Sequence, residues 1–462
     1  MASSSKIYFE LVELSGHVVA KGAWSATLRA DCLYQSAHLA KPGRRCRLLQ
    51  GTWEITPFTP LAALDLSLGT CIQVVWLSGS AADRRSHGTA FVALKADSSV
   101  VTWGDADYGG DSSAVALLLT EGVVQVCGNQ RAFAAIKVNG SVVTWGDARS
   151  GGDSSVVAPL LTDGVVQVCG NQRAFAAIKA NGSVVTWGDA ASGGDSSAVA
   201  PLLTEGVVQV SATYSAFAAI KANGSVVTWG DADGGGDSSA VAPLLTEGVV
   251  QVSGNSAFAA IKANGSVVTW GDAASGGDSS AVAPLLTEGV VQVCGNNNAF
   301  AAIKANGSVV TWGDAASGGD SSAVAPLLTE GVVQVSGSNS AFAAIKANGS
   351  VVTWGDADGG GDSSAFAPLL TEGVVQVSAT YMAFAAIKAN GSVVTWGGAD
   401  HSGDSSAVAP LLTEGVVQVC GNNNAFAAIK VNGSVVTWGD AASGGDSSAI
   451  APLLMEGVVQ VF

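Results

Sequence analysis

Ala299-Phe-Ala-Ala-Ile-Lys-Ala-Asn-Gly-Ser-Val-Val-Thr-Trp-Gly313 is the stretch that decides the architecture. Two apolar runs of strand length flank Asn306-Gly307. Asn-Gly supplies the two positive-φ positions of a type I′ turn, so the stretch predicts an antiparallel hairpin. Beyond it, Val332-Val-Gln-Val335 is a third β-prone run, entered through the turn Thr329-Glu330-Gly331. Ala323–Leu328 is a weaker fourth. Its Pro326 cannot donate to a ladder, which places that strand at a sheet edge. No part of the unit has the 3.6-residue periodicity of a long amphipathic helix.

The unit recurs. Trp-Gly stands at Trp103, Trp145, Trp187, Trp229, Trp270, Trp312, Trp354, Trp396 and Trp438, in steps of 42 residues with a single step of 41. Residues 89–462 are therefore nine copies of one element. Four antiparallel strands in about 42 residues match one β-propeller blade. The Ala-Phe-Ala-Ala and Val-Val-Gln-Val strands are out of phase at the two ends of the array. If residues 458–462 pair beside 90–95, a ring closes and hides the two edges that an open stack would leave. The predicted fold is mainly β: tandem four-stranded antiparallel repeats in a β-propeller-like ring, with an open β-solenoid as the alternative.

Composition agrees. Hydrophobic residues make up 48% of the 462, charged residues 13%, and glycine contributes 59. Too apolar for a disordered chain and too glycine-rich for a coiled coil, the sequence also lacks the ~18 unbroken apolar residues of a membrane-spanning helix. The net charge of −16 is uneven: residues 1–88 carry 9 Lys/Arg against 6 Asp/Glu, and residues 89–462 carry 12 against 31. So acidic a repeat region disfavours nucleic-acid binding by charge neutralisation. Met1–Lys6 lacks an apolar signal core and the seven cysteines are odd in number, which predicts a reducing compartment, the cytoplasm or alternatively the nucleus.

The run 299–313 resembles the core of the regulator-of-chromosome-condensation repeat family: a small start, an alternating apolar strand, a Gly turn, and an apolar strand ending in Trp-Gly. The family's glycine six residues after the tryptophan is matched by Gly318. Two departures are visible: Gly319-Asp320-Ser321 stands where the family has Gln-Leu-Gly, and Ala299 where it has His. The resemblance spans every repeat and implies a propeller. It also implies either a guanine-nucleotide-exchange-type regulator of a small GTPase or a ubiquitin-pathway adaptor without its own HECT domain.

Residues 1–77 do not fit the repeat. Lys6–Leu14 alternates as a strand, Gly16 supplies a turn, and Ala26–Leu39 reads as a helix. Arg45-Cys-Arg-Leu-Leu-Gln-Gly51, Thr59–Leu66 and Cys71-Ile-Gln-Val-Val-Trp-Leu77 then follow. This succession is similar to ubiquitin-like domains, and a capping element for the repeats is the alternative. Residues 78–88, with Arg84 and Arg85, read as a linker.

Catalytic chemistry is not indicated. His17, His38, His87 and His401 stand apart from any Cys, Asp or His at metal or triad spacing. Cys127, Cys169, Cys294 and Cys420 occupy one repeat position that elsewhere is Ser211, Ser253, Ser336 or Ser378, which suits a small, partly buried side chain. Asn139-Gly140-Ser141 and its seven counterparts match the glycosylation sequon, for which a hairpin turn is sufficient reason. The loops Asp314-Ala-Ala-Ser-Gly-Gly-Asp320 match neither the EF-hand nor the nonapeptide calcium pattern. We expect no enzyme activity, metal or cofactor.

Strand direction places the loop after Val-Val-Gln-Val and the Asp/Gly loop on one face, here called upper. The Asn-Gly and Thr-Glu-Gly turns share the lower face. Upper loops vary between copies (Gly128-Asn-Gln-Arg131, Ala212-Thr-Tyr-Ser215, Gly254-Asn-Ser256, Gly295-Asn-Asn-Asn298, Ala379-Thr-Tyr-Met382), while lower turns hardly change. Recognition tends to sit on loops held by a rigid scaffold. The expected function is a non-catalytic scaffold that binds protein partners, ubiquitin-pathway components being one possibility, and neither nucleic acid nor membrane. Arg131, Arg173, Tyr214, Asn297, Tyr381 and Asn423 are the candidate binding residues.

Overall fold

A computed structural model describes residues 88–462 without interruption. Before them it describes 6–13, 18–26, 28, 30, 33, 36–37, 44–50, 53–55, 61–65 and 70–80. Contacts divide the chain into two units, Met1–Asp83 and Arg84–Phe462.

The first unit holds β1 (Lys6–Glu13), β2 (Val18–Ser25), β3 (Arg44–Gln50), β4 (Trp53–Ile55) and β5 (Cys71–Ser80) in one sheet of order β2-β1-β5-β3-β4. β1 runs parallel to β5, and the other pairs are antiparallel. Phe9, Leu11, Leu48, Ile55, Ile72 and Val74 form its core with Ala30, Leu33 and Ala37. The spacing 30, 33, 37 is one face of a helix. The helix expected over 26–39 lies mostly outside the described residues, although Leu33, Ser36 and Ala37 within it are helical. The expected linker needs correction at its start, because Ser78–Ser80 continue β5 and Ser80 pairs with Arg44. Residues 81–87 lie outside the described residues.

The second unit, described throughout residues 88–462, contains nine three-stranded sheets. β6 (Ala90–Lys95) and β7 (Val100–Gly104) come first, followed by the meander β8 (Val123–Gly128), β9 (Ala132–Lys137) and β10 (Val142–Gly146). That triplet recurs to β31 (Val435–Gly439), and β32 (Val458–Val461) ends the chain. β32 pairs with β6, Val458 opposite Lys95 and Val461 opposite Ala93, to make the ninth sheet β32-β6-β7. Phe462 and Val92 exchange backbone bonds of 2.9 and 3.1 Å beside it. The last repeat thus supplies the strand that the first lacks, and the array returns on itself as a propeller-like ring.

The blades have three strands, not the four expected. Where a fourth strand was predicted, Ser322–Leu327 is a 3₁₀-helix. Pro326 withholds the N–H a ladder needs. Asp320 Oδ1 accepts the Ser322 N–H at 2.8 Å, starting the turn, and Lys346 Nζ donates to the Leu327 carbonyl at 2.8 Å, ending it. One ladder-like bond remains, Val309 N–H to the Leu328 carbonyl at 2.9 Å.

The hairpin turn also departs from the I′ expectation. Gly307 has φ 75°, whereas Asn306 is not among the residues of positive φ. Gly307 N–H donates to the Lys304 carbonyl at 2.8 Å, and Asn306 Oδ1 accepts the Ser308 N–H at 3.0 Å and hydroxyl at 2.7 Å. This is a type I turn closed by a left-handed glycine, the usual three-residue hairpin loop. A Cβ on Gly307 would lie 2.5 Å from the Gly331 nitrogen. The two lower turns pack this closely in eight copies with glycine at that position, while the first copy holds Ser98 there in the same left-handed conformation, with φ 65°.

Packing runs from sheet to sheet. Phe300 lies directly across from Trp312, with ring centroids 5.2 Å apart. Together with Leu286, Val290 and Val293 they press on Ala257, Ala259 and Ile261 of the preceding sheet. Large side chains on one face meet alanines on the other, so middle strands are buried on both sides and read as unbroken apolar runs. Trp312 Nε1 donates to the Gly276 carbonyl of the preceding blade at 3.0 Å. The same bond recurs around the ring and crosses the closure, where Trp103 donates to Gly444 at 3.0 Å and Phe91 packs near Ala425, Ala427 and Ile429. Val-Val-Gln-Val strands of successive sheets lie against one another, and Ser336 Oγ bridges to the Val377 carbonyl of the next at 3.0 Å, making these the inner edge.

Trp312→Phe keeps an aromatic ring but strands the Gly276 carbonyl, and should cost about 1–3 kcal/mol in urea unfolding. Phe300→Ala empties the site and should cost about 3–5 kcal/mol. Equal, negligible losses in both would mean that these contacts do not hold adjacent blades.

Candidate functional site

In the eight blades whose inner and middle strands are consecutive in the chain, the two upper loops are tied by one buried polar side chain. In the sixth blade this is Asn296, 2% exposed. Its Oδ1 accepts the N–H groups of Asn298 at 2.9 Å and Ala299 at 2.8 Å, and its Nδ2 donates to the Ser317 carbonyl at 2.6 Å. Asn129 and Asn422 repeat the arrangement. Thr213 reaches a reduced version with its hydroxyl, which accepts from Ala216 N–H at 3.0 Å and donates to the Gly234 carbonyl at 2.9 Å. The variation seen in these loops is therefore partly an exchange of equivalent ties.

The next loop position links blade to blade. Gln172 N–H donates to the Tyr214 carbonyl at 3.1 Å, and Tyr214 N–H to that of Asn255 at 3.0 Å. Asn297 continues to Asn339 at 3.2 Å, Asn339 to Tyr381 at 2.7 Å, Tyr381 to Asn423 at 2.9 Å, and Asn423 to Gly88 at 3.0 Å. In the blade shortened by one residue, the Ser256 hydroxyl takes over and donates to Asn297 at 3.0 Å. Side chains at these positions thus project from a backbone that is clamped rather than free.

All six sequence-derived candidates lie on this face, spread over different blades and not gathered into one site. Arg131 is half-buried with its guanidinium 5.0 Å from the centre of the Tyr108 ring. Arg173 is exposed. Tyr214 is half-buried, and its backbone lies between Gln172 and Asn255. Asn297 bonds through its Nδ2 to Asn339 Oδ1. Tyr381 is 41% exposed, with its ring 6.2 Å from that of His401. Asn423 is half-buried beside Gly88.

Sequence reading missed the buried Asn/Thr/Ser ties, since Asn296, Asn297 and Asn298 are indistinguishable as letters. It also passed over Tyr108, and it set His401 aside without a partner, whereas the His401 Nδ1 lies 2.8 Å from Asn424 Oδ1. His17, His38 and His87 lie outside the described residues. Among the described residues no three His, Cys, Asp or Glu side chains converge as metal ligands. The last Asp of each Asp/Gly loop, such as Asp320, is held below its ordinary pKa of 3.8, first by the backbone N–H of the serine two residues on and then by that serine's hydroxyl. These carboxylates are turn-formers at the start of the 3₁₀-helices.

The sequence matches no family model and no curated protein. Three solved structures illustrate its similarities. Human WBSCR16 shares 15% identity, over 60% of this chain and 84% of that one, with a TM-score of 0.34. Saccharomyces cerevisiae Prp20p, described with its binding to Gsp1p and histones, shares 13% over 58% and 80%, with a TM-score of 0.34. Yeast RCC1 (Prp20) bound to Kap60 shares 12% over 83% and 88%, with a TM-score of 0.36. None of these similarities assigns a function to this chain.

Asn296→Ala strands two buried N–H groups and a carbonyl and should cost about 1–3 kcal/mol in chemical denaturation. Arg173→Ala should change stability by no more than about 0.5 kcal/mol, as exposed sites do. The reverse order would contradict this division between structural and presented residues.

Proposed function

We propose that the ring is a non-catalytic protein-interaction scaffold that recognises partners through its upper loops. The observation that carries this reading is the blade-to-blade bond series from Gln172 through Tyr214 to Asn255, on by the Ser256 hydroxyl to Asn297, and then through Asn339, Tyr381 and Asn423 to Gly88. A clamped backbone gives up little conformational entropy when its side chains are bound, so preorganised loops favour recognition. Tyr and Arg on such loops supply the large contacts typical of binding hot spots. The first unit is proposed as a ubiquitin-like docking module. Supporting that reading are the order β2-β1-β5-β3-β4, its central parallel pair, and the helical residues packed on the sheet. Regulation of a small GTPase, or an adaptor role in ubiquitin transfer, is the finer reading carried by the repeat resemblance.

The test compares partner capture by the unaltered chain, an upper variant (Tyr214→Ala with Tyr381→Ala), and a lower variant (Glu205→Gln with Glu372→Gln) of equal stability. Loss of the same partners from the upper variant alone is expected. Retention both by the upper variant and by a second upper variant (Arg131→Gln with Arg173→Gln), or equal loss from the upper and lower variants, would overturn the reading. Nucleotide-exchange and ubiquitin-transfer assays on the captured partners then decide between the two finer roles.

A further inference from the structure

Positive charge in the ring is segregated. Residues 88–462 contain nine lysines, and every one ends a middle strand on the lower face. Those from Lys137 to Lys430 place Nζ on a leucine carbonyl, as Lys137 does at 2.7 Å on Leu118. Only three arginines occur in the same span, Arg131, Arg149 and Arg173. All three stand on upper loops of the second and third blades.

Their loops are contiguous. Arg131 lies over Tyr108, which belongs to the Asp/Gly loop of the first blade. Its carbonyl accepts the Asp147 N–H at 2.8 Å, which places the loop of Arg149 beside it. That loop ends at Gly151, where a Cβ would meet the Phe175 ring at 2.7 Å, and Phe175 is two residues from Arg173. Tyr108, Arg131, Arg149 and Arg173 therefore form one continuous sector.

None of the three guanidinium groups is within ion-pair distance of a described carboxylate; the ion pair among described residues of the ring is Lys179 with Asp163. Most carboxylates of the neighbouring Asp/Gly loops are engaged in their own turns: Asp147 accepts the Ser150 hydroxyl and Asp189 that of Ser192, each at 2.6 Å, while Asp105, Asp111 and Asp153 accept backbone N–H groups. Around the rest of the upper face the Asp/Gly loops carry aspartates and no Lys or Arg.

We propose that this sector docks a short acidic peptide segment of a protein partner, its carboxylates taken by Arg131, Arg149 and Arg173. The proposal rests on the upper-face reading above and narrows it to the two blades that carry the arginines and the Tyr108 loop beside them. Guanidinium forks match carboxylates bidentately, and the Tyr108 ring steadies Arg131 from beneath. A long polyanion is disfavoured, because the Asp/Gly loops beyond these blades offer it aspartates and no Lys or Arg, whereas a short carboxylate-bearing segment can be confined to the blades where the guanidinium groups stand. Charge complementarity thus sets where on the ring the partner sits.

The experiment measures fluorescence anisotropy of a short labelled peptide rich in Glu and Asp, titrated with the full chain at low and high salt. A neutral Gln/Asn counterpart and a single-stranded DNA oligonucleotide of equal charge serve as comparisons. The expected result is salt-sensitive binding of the acidic peptide alone, weakened by about tenfold or more in the Arg131→Gln, Arg149→Gln, Arg173→Gln variant. Circular dichroism and the melting temperature of that variant should be unchanged. Absence of peptide binding, equal binding by the variant, or arginine-dependent preference for the oligonucleotide would overturn the proposal. The broader reading is separated by the captured partners: if they are lost with Tyr214→Ala and Tyr381→Ala but kept by the triple arginine variant, the sector fails while the upper face stands. If both variants keep them, both readings fail.

Discussion

Every blade is fastened to its predecessor by a tryptophan indole N–H on a backbone carbonyl, and the geometry of the ring follows from what that bond requires. Trp312 and Phe300 must stack across one hairpin so that the indole reaches Gly276 at 3.0 Å. That carbonyl is available only because Gly276, with φ 98°, turns its loop through the left-handed region. A side chain there would strike Phe300 at 2.7 Å. Three positions per copy, Phe, Trp and Gly, are thus mutually dependent. The one exception shows how tight the requirement is: Ser402, with φ 74°, occupies the glycine's place, and Trp438 still donates to its carbonyl at 3.1 Å.

Much of this was legible in the sequence because it is periodic. The recurrence of Trp-Gly gave the copy number, and the phase of the two strand types anticipated the pairing of residues 458–461 with β6. Two local readings failed for identifiable reasons. The run containing Pro326 has β-prone residues, but its serine, proline and Asp320 cap favour a 3₁₀ turn over a ladder. Asn306-Gly307 does mark a hairpin, yet Ser308 after it offers two donors to the asparagine side chain, and the turn becomes type I with only Gly307 left-handed.

The upper face was legible as a location and not as a site. Loop variability pointed to it, but could not separate side chains that hold the loops from side chains that face outward. Asn296 is buried and makes three bonds, Asn297 bridges to Asn339, and the difference lies entirely in which way each backbone position turns. What the ring adds is rigidity: the residues at these loop positions ride on a backbone braced by the neighbouring blade. The segregation of arginines from lysines onto opposite faces gains its meaning only once strand direction has assigned those faces.

Closure is the central claim, and deleting residues 457–462 tests it most directly. The deletion removes β32 and leaves the first blade with two strands and one exposed edge. A large fall in melting temperature is expected, with faster amide hydrogen exchange in the first and ninth blades ahead of the rest. An unchanged melting temperature, with exchange altered only at the last few residues, would contradict it.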